Sequence, residues 1–253
     1  MNLNSAFASQ HDMQAVILAG GLGTRLRSIV RDRPKPMAEI SGKPFLEHQI
    51  DYLKRHRITS FIFCVGYLFE QIQGFFGHGE KWGVKIAYAV EKELLGTAGA
   101  LKNAEKFLRG RFLVLNGDSF FDFDLSDFIL FHERTKSEHE PCLGSVALTE
   151  VPDMRNYGAV TLLDDGRIGG FAEKNENANG GGHINAGNYI FEEGILNFIA
   201  PAQKLSLERQ VFPSLIQAGH TLYGFPAKGF FVDIGTPSGL EGFQKRAREG
   251  WSV

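Results

Sequence analysis

Gln14-Ala15-Val16-Ile17-Leu18-Ala19-Gly20-Gly21-Leu22-Gly23-Thr24-Arg25-Leu26 runs from an apolar stretch straight into a glycine-rich turn that closes on an arginine. The apolar part predicts a buried strand over Gln14 to Leu18, and a loop that binds phosphate follows a strand in this way. The glycine spacing, G-G-x-G-x-R, is not the dinucleotide fingerprint, and without a following Gly-Lys-Ser/Thr it is not a P-loop. Its three glycines let the backbone come close to a ligand and present N–H groups to anionic oxygens. Arg25 adds a planar fork of donors suited to phosphate. A plain βα turn with a surface arginine would explain the same residues, so the rest of the chain decides.

Outward from this stretch, short apolar runs alternate with amphipathic segments, the pattern of βα units on a mostly parallel sheet. Helical spacing covers Pro44 to Arg57, Leu68 to Phe76 and about Gly99 to Phe107, and strands are predicted over Ser60 to Val65, Lys85 to Ala89 and Phe112 to Leu115. The last of these ends at Asn116-Gly117-Asp118. Ligands of open α/β sheets sit at the carboxyl ends of strands, so Ala19 to Arg25 and Asn116 to Asp118 are expected to share one crevice. In the second half, Cys142 to Leu148, Gly158 to Leu163, Ile184 to Phe191, Thr221 to Phe225 and Phe230 to Val232 read as strands. Helices are predicted over Glu192 to Ile199, Ser206 to Gln217 and Pro237 to Arg248. With no Pro- or Ser-rich linker and no internal repeat, the second half is expected to extend the same sheet. Residues 13–253 thus read as one domain with two lobes, a nucleotide-binding half over about 13–140 and a second half over about 141–253.

Composition agrees with this class. The 253 residues are 43% hydrophobic and 22% charged, and 27 Lys+Arg against 29 Asp+Glu give a net charge of −2. That balance, without a basic cluster, argues against nucleic acid or an anionic membrane as partner. No apolar stretch approaches the roughly 18–20 residues of a membrane span. Residues 1–12 lack the charged and apolar parts of a signal peptide and read as a disordered extension ahead of the fold. Two cysteines, Cys64 and Cys142, lie in apolar runs as small buried hydrophobes and point to a reducing, cytoplasmic setting. The eight histidines form no His-x-x-x-His or His-x-His pair, which leaves no transition-metal site. The 30 glycines, about 12% of the chain, exceed the usual figure near 7%.

Arg33-Pro34-Lys35-Pro36-Met37 places a lysine between two prolines, which fix the backbone and aim the Lys35 stem. With G-G-x-G-T-R-L before it, this P-K-P segment resembles the signature of the sugar-1-phosphate nucleotidyltransferases, and the resemblance extends over about Met13 to Gly239. It implies a Rossmann-like three-layer α/β/α fold with a mixed, mostly parallel central sheet. It also implies an enzyme that joins a nucleoside triphosphate to a sugar 1-phosphate and releases pyrophosphate. On the matching positions, Arg25, Lys35 and Asp118 are the catalytic residues, and Asp118 with Asp233 of Phe231-Val232-Asp233-Ile234-Gly235-Thr236 would hold Mg²⁺. Leu18, Ala19, Gly20, Gly21, Gly23 and Thr24 would line the nucleotide, with Glu93, Gly96 and Thr97 from the loop Glu91-Lys92-Glu93-Leu94-Leu95-Gly96-Thr97-Ala98-Gly99. Tyr157-Gly158, Glu173-Lys174 and Asn185-Ala186-Gly187 match in order the family's sugar-phosphate elements, so Tyr157, Gly158, Glu173, Lys174, Asn185 and Gly187 are the expected sugar-phosphate contacts. A turn aspartate and a helix cap at Thr236 are the bland readings of the two acidic segments.

Two substrates of high negative charge make charge repulsion and orientation the main obstacle, which suits Arg, Lys and a Mg²⁺ cofactor rather than a covalent nucleophile. The L-G-T-A-G form resembles the guanylyltransferase branch, although Leu94 stands where that branch has proline. A carboxylate accepts two hydrogen bonds, which suits the N1–H and N2–H₂ edge of guanine, and Glu93, with Glu91 as the second choice, is expected to read it. Arg25-Leu26-Arg27-Ser28-Ile29-Val30 is similar to bacterial D-glycero-α-D-manno-heptose 1-phosphate guanylyltransferases, which make GDP-heptose for capsule or surface-layer glycans. A mannose-1-phosphate guanylyltransferase, or a uridylyl- or thymidylyltransferase acting on a hexose 1-phosphate, stays open. A dinucleotide oxidoreductase fails on glycine spacing, and Cys64-Val65-Gly66 stands where it needs an acidic residue. A non-catalytic relative would be expected to lose Arg25, Lys35 or an aspartate, and all are present. Whether the chain forms a homo-oligomer is not readable from the pattern.

Overall fold

The computed structural model describes residues 13–23, 32–139, 141–155, 157–172 and 180–249. Along the chain lie β1 (Gln14–Leu18), the short pair β2 (Glu39–Ile40) and β3 (Lys43–Pro44), α1 (Phe45–Arg55), β4 (Ser60–Val65), α2 (Phe69–Phe76), β5 (Lys85–Val90) and α3 (Gly96–Asn103). There follow β6 (Arg111–Asn116), β7 (Ser119–Asp122), α4 (Leu125–Glu138), β8 (Cys142–Val151), β9 (Val160–Leu162), β10 (Ile168–Phe171) and β11 (Gly182–Glu192). The chain closes with α5 (Phe212–Gln217), β12 (Thr221–Pro226), β13 (Phe230–Asp233) and α6 (Pro237–Arg248).

Seven strands form one sheet in the order β12-β8-β11-β6-β1-β4-β5. Pairings from β5 through β4 and β1 to β6 are parallel, β11 runs antiparallel to both β6 and β8, and β12 is parallel to β8. The mixed, mostly parallel sheet of the expected fold is therefore present. Successive side chains of a strand point to opposite faces, and the core divides accordingly. Ala15, Ile17, Phe61 and Phe63 pack beneath α1, α2, α4 and α6, whereas Val16, Ile62 and Cys64 pack beneath α3 and α5. Cys64 and Cys142 are buried and unpaired with each other. No helix among the described residues is long and apolar enough to cross a membrane.

Four expectations need correction. The second half extends the central sheet only through β8, β11 and β12; β9 pairs with β10, and β13 forms a ribbon with β7 in which Asp233 stands opposite Ser119. The helix expected over Gly99 to Phe107 starts earlier, at Gly96, and breaks into a 3₁₀ turn over Glu105–Phe107, while Glu193–Phe198 is likewise 3₁₀. The helix expected from Ser206 is a π turn over Leu207–Val211 before α5. Pro213 explains this, because it has no N–H for the carbonyl four residues back and its ring crowds that carbonyl. Helix α4 is absent from the sequence-based elements altogether. Its buried face carries His132 and Thr135 where a periodic helix would show apolar residues, so the 3.6-residue signal is faint.

Candidate active site

Leu18 and Asn116 are register partners at the carboxyl ends of β1 and β6, so the glycine loop and Gly117-Asp118 leave the sheet side by side. Gly117 N–H donates to the Leu18 carbonyl at 2.9 Å, and a Cβ on Gly117 would stand only 2.6 Å from that oxygen. Gly23 has φ +59° and faces the Lys35 stem. Pro34, extended at φ −67°, leads into a 3₁₀ turn over Lys35–Met37 with Pro36 in its first turn, which holds the lysine in one direction as the sequence predicts. The Lys35 side chain is only 9% exposed, and its Nζ donates to Asp118 Oδ2 at 2.6 Å.

These groups open onto a cavity of about 450 Å³. Leu18, Ala19, Gly20, Gly21, Gly23, Lys35, Gly96, Thr97 and Asp118 all line it, as do Asn116 of the strand-end motif, Glu91, the second choice for the base, and Lys204, which the sequence reading left unassigned. Glu93 does not: it is exposed and outside the lining. Glu91 N–H donates to the Val65 carbonyl and so continues the ladder of β5, which turns its side chain inward before the chain bends out through Lys92 and Glu93. Glu91 Oε2 accepts from Leu95 N–H at 2.9 Å, and Oε1 has no hydrogen-bond partner among the described residues. Burial raises the Glu91 carboxyl pKa above its ordinary value, against the Leu95 hydrogen bond that lowers it. A Cβ on Gly20 would collide with this carboxylate, so a side chain there would displace Glu91 from its present position. Gly96 and Gly99 also make room for a neighbouring segment of the chain. Their missing side chains admit the backbone of Gln203–Leu205, and Ala98 N–H donates to the Leu205 carbonyl at 2.9 Å.

A second cavity, of about 330 Å³, adjoins the first and is lined by Tyr157, Gly158, Asn185, Gly187, Asp118 and Asp233. Asn116 and Asp118 line both. The β7–β13 ribbon brings the two aspartate segments together, with Ile234 N–H donating to the Asp118 carbonyl at 2.9 Å. Phe121 and Phe231 meet edge to face on this ribbon beside them. β11 carries a bulge between Asn185 and Tyr189; bulges re-aim side chains next to active sites. Within it Gly187 has φ +73°, and its N–H donates to Asn185 Oδ1 at 2.9 Å. Asn116 Oδ1 is buried and unsatisfied among the described residues. Ser206, Glu208 and Arg209 also line this cavity and were not singled out from sequence. Only their place just before the Pro213 irregularity marks them, and a π turn beside a site is a recognised signal. Arg25, Thr24, Glu173 and Lys174 lie outside the described residues.

The described residues contain no group of three or more His, Cys, Asp or Glu able to hold a metal. A carboxylate shared by two cavities, Asp118, and a second in the lining of one of them, Asp233, do suit a hard cation that takes its remaining oxygens from substrate, which is how Mg²⁺ is commonly held. The profile of the Nucleotidyl transferase family matches residues 14–249. The chain belongs to this family. Among relatives of this nucleotidyl transferase, the D-glycero-alpha-D-manno-heptose 1-phosphate guanylyltransferase of Campylobacter jejuni is 41% identical over 227 residues, covering 89% of this chain and 96% of the relative. The protein of the same name from Aneurinibacillus thermoaerophilus is 37% identical over 234 residues, covering 92% and 97%. Among solved structures, HddC from Yersinia pseudotuberculosis complexed with GMP-PN superposes with a TM-score of 0.80 at 33% identity, covering 93% of this chain and 99% of that one.

Proposed function

We propose that the protein transfers a guanylyl group from GTP to D-glycero-α-D-manno-heptose 1-phosphate, giving GDP-heptose and pyrophosphate. The observation that carries this reading is the pair of adjoining cavities with Asn116 and Asp118 in the lining of both. A phosphate oxygen of the sugar 1-phosphate in the second cavity attacks the α-phosphorus of the nucleotide in the first. The new P–O bond forms as the bond to pyrophosphate breaks. Holding both reactants on one rigid strand end converts the encounter into an oriented one, a large part of what such catalysis needs. Lys35 then serves the α-phosphate, and Arg25 serves the β- and γ-phosphates. Asp118 and Asp233 would hold Mg²⁺, which when bound supplies charge neutralisation on the phosphate oxygens. Tyr157, Gly158, Glu173, Lys174, Asn185 and Gly187 are the proposed sugar-phosphate contacts.

Guanine selection is assigned to Glu91 in place of Glu93. Its Oε1 has no hydrogen-bond partner among the described residues and its Oε2 keeps a second lone pair, so the carboxylate can accept from both N1–H and N2–H₂ of guanine; uracil and thymine present an acceptor and a donor instead. The heptose assignment is supported by the Campylobacter and Aneurinibacillus relatives. Pyrophosphate release is the test, with GTP, UTP, dTTP and ATP each offered against heptose 1-phosphate and mannose 1-phosphate in the presence of Mg²⁺. GTP with the heptose is the expected pair. Preference for UTP or dTTP would overturn the guanine assignment, and preference for mannose 1-phosphate the heptose assignment.

A further inference from the structure

The two cavities are joined a second time, away from Asp118, by a chain of side-chain hydrogen bonds centred on Glu208. Ser206 caps the π turn by accepting from Arg209 N–H at 3.2 Å, and its own hydroxyl donates to Glu208 Oε2 at 2.7 Å. The Thr97 hydroxyl donates to the same oxygen at 3.0 Å while Thr97 Oγ1 accepts from Leu207 N–H at 2.8 Å. On the other carboxylate oxygen, Glu208 Oε1 accepts from the Tyr189 hydroxyl at 2.9 Å. That hydroxyl accepts in turn from Asn185 Nδ2 at 2.8 Å. Three hydroxyls thus converge on one carboxylate, one from the lining of the nucleotide cavity and one leading to the sugar-phosphate cavity.

Each member of this chain is held. Tyr189 is fully buried, stacked on Phe191 with ring centroids 5.3 Å apart, and lines neither cavity. Burial and the nearby Glu208 charge push its phenol pKa well above the ordinary value, so it remains a donor throughout the working range. Asn185 has its carboxamide fixed at both ends, by Gly187 N–H on the oxygen and by Tyr189 on the nitrogen. Asn116 also reaches the Tyr189 hydroxyl.

We propose that Glu208 is a positioning residue for both substrates at once. It fixes Thr97 at the nucleotide cavity and, through Tyr189, the Asn185 carboxamide at the sugar-phosphate cavity, so that the two substrates are read by one hydrogen-bonded unit. The identity of those substrates rests on the proposed function. Residues in one hydrogen-bond network are energetically coupled, so a change at either end registers at the other.

The test uses cross-effects, which a merely local or structural role would not produce. GTP affinity is measured by titration, and the KM for heptose 1-phosphate at saturating GTP, in wild type, Tyr189→Phe, Thr97→Val and Thr97→Ser. Thr97→Val is expected to raise the sugar-phosphate KM, and Tyr189→Phe to weaken GTP binding, each by about threefold or more. Thr97→Ser, which keeps the hydroxyl, is expected to restore both parameters to near wild type. The Thr97 pair decides the question independently of how well Tyr189→Phe folds, and its route to the sugar site does not pass through Asn116 first. Wild-type turnover with each substitution changing only its own substrate's parameter by twofold or more would overturn the coupling alone. Absence of wild-type turnover with every nucleotide and sugar phosphate would overturn the proposed function and the coupling with it.

Discussion

Lys35 and Asp118 show at the scale of single residues how the fold prepares charge. The ammonium is nearly buried against a carboxylate that stays partly open to the cavities, and a charge withdrawn from solvent in this way counts for more than one in water. Removing one such electrostatic stabiliser costs on the order of 10²–10³ in turnover. Lys35→Ala is therefore expected to lower kcat by about 10²-fold or more with the fold retained, and near-normal kcat in steady-state kinetics would remove Lys35 from catalysis. The same magnitude is expected for Arg25→Ala, the role for which the sequence alone speaks. Glu91 makes a pH-dependent prediction. Its carboxyl pKa lies above the ordinary 4.5, and only the ionised form offers guanine two acceptors. GTP affinity should fall as pH drops toward that raised range, and Glu91→Gln should abolish this part of the dependence while loosening the preference for GTP over UTP. A titration of GTP binding against pH in both proteins checks it; parallel curves would exclude Glu91. Choosing between Glu91 and Glu93 was beyond the sequence, because both are carboxylates on the same loop and only the ladder bond from Glu91 to Val65 shows which one turns inward. The modest reading of the second acidic segment also holds: Thr236 caps α6 by accepting from Gly239 N–H, and in the same segment Asp233 Oδ1 accepts from Gly235 N–H at 2.6 Å. A residue can close a turn and still face a site.

At the scale of elements, legibility follows how loudly a segment states its period and its ends. Helix α6 matches its expected range, Pro237 to Arg248, because it has a threonine cap, a proline in the first turn and basic residues in the last. The β1 loop and the P-K-P turn were legible for the same reason, since glycine and proline constrain the backbone by themselves. Helix α4 was not, because its buried face holds polar groups that only find partners in three dimensions: His132 Nδ1 bonds Ser145 Oγ at 2.9 Å. The π turn was also hidden, and with it Glu208, since a helix period continues through it on paper. The β11 bulge belongs to this scale and can be tested there. A side chain on Gly187 would have to adopt a positive φ and would meet Asn116 Nδ2 and Ser119 Oγ at 2.7 Å. Gly187→Ala is expected to cost about 1–3 kcal/mol. It should lower the melting temperature by several degrees and raise the KM for the sugar phosphate more than that for the nucleotide. An unchanged melting curve would show that the bulge tolerates a side chain.

For the whole molecule, the decisive fact is that the first and second halves of the chain build one sheet, joined where β6 pairs with β11. The far end of β6 and β11, opposite the site, is tied by Glu192, which accepts from Arg111 Nε at 2.9 Å, His132 Nε2 at 3.1 Å and Lys136 Nζ at 2.8 Å. Burial pushes the Glu192 pKa up, but hydrogen bonds from His132, Lys136 and Arg111 outweigh it and leave the carboxyl well below the ordinary 4.5. A group held below its unfolded pKa stabilises the protein above that value, and the benefit is lost as pH falls through and below it. Burial holds the His132 pKa below its ordinary 6.5, which acts in the same direction, with stability lost as pH falls under 6.5. Melting temperatures taken from pH 7 to pH 3 should therefore decline, and the deficit of Glu192→Gln relative to wild type should be largest near pH 7 and narrow below about pH 4.5. A constant deficit would mean that the network is not titrating. The sheet order has one more consequence. A break in the chain at residue 140 would leave a row of unpaired amides and carbonyls along β6 of the first fragment and along β11 of the second, over the register from Leu115↔Asn188 to Arg111↔Glu192. Exposed edges of this kind seek another strand, so each fragment alone would tend to self-associate, while the pair should reassemble by strand addition into a working enzyme.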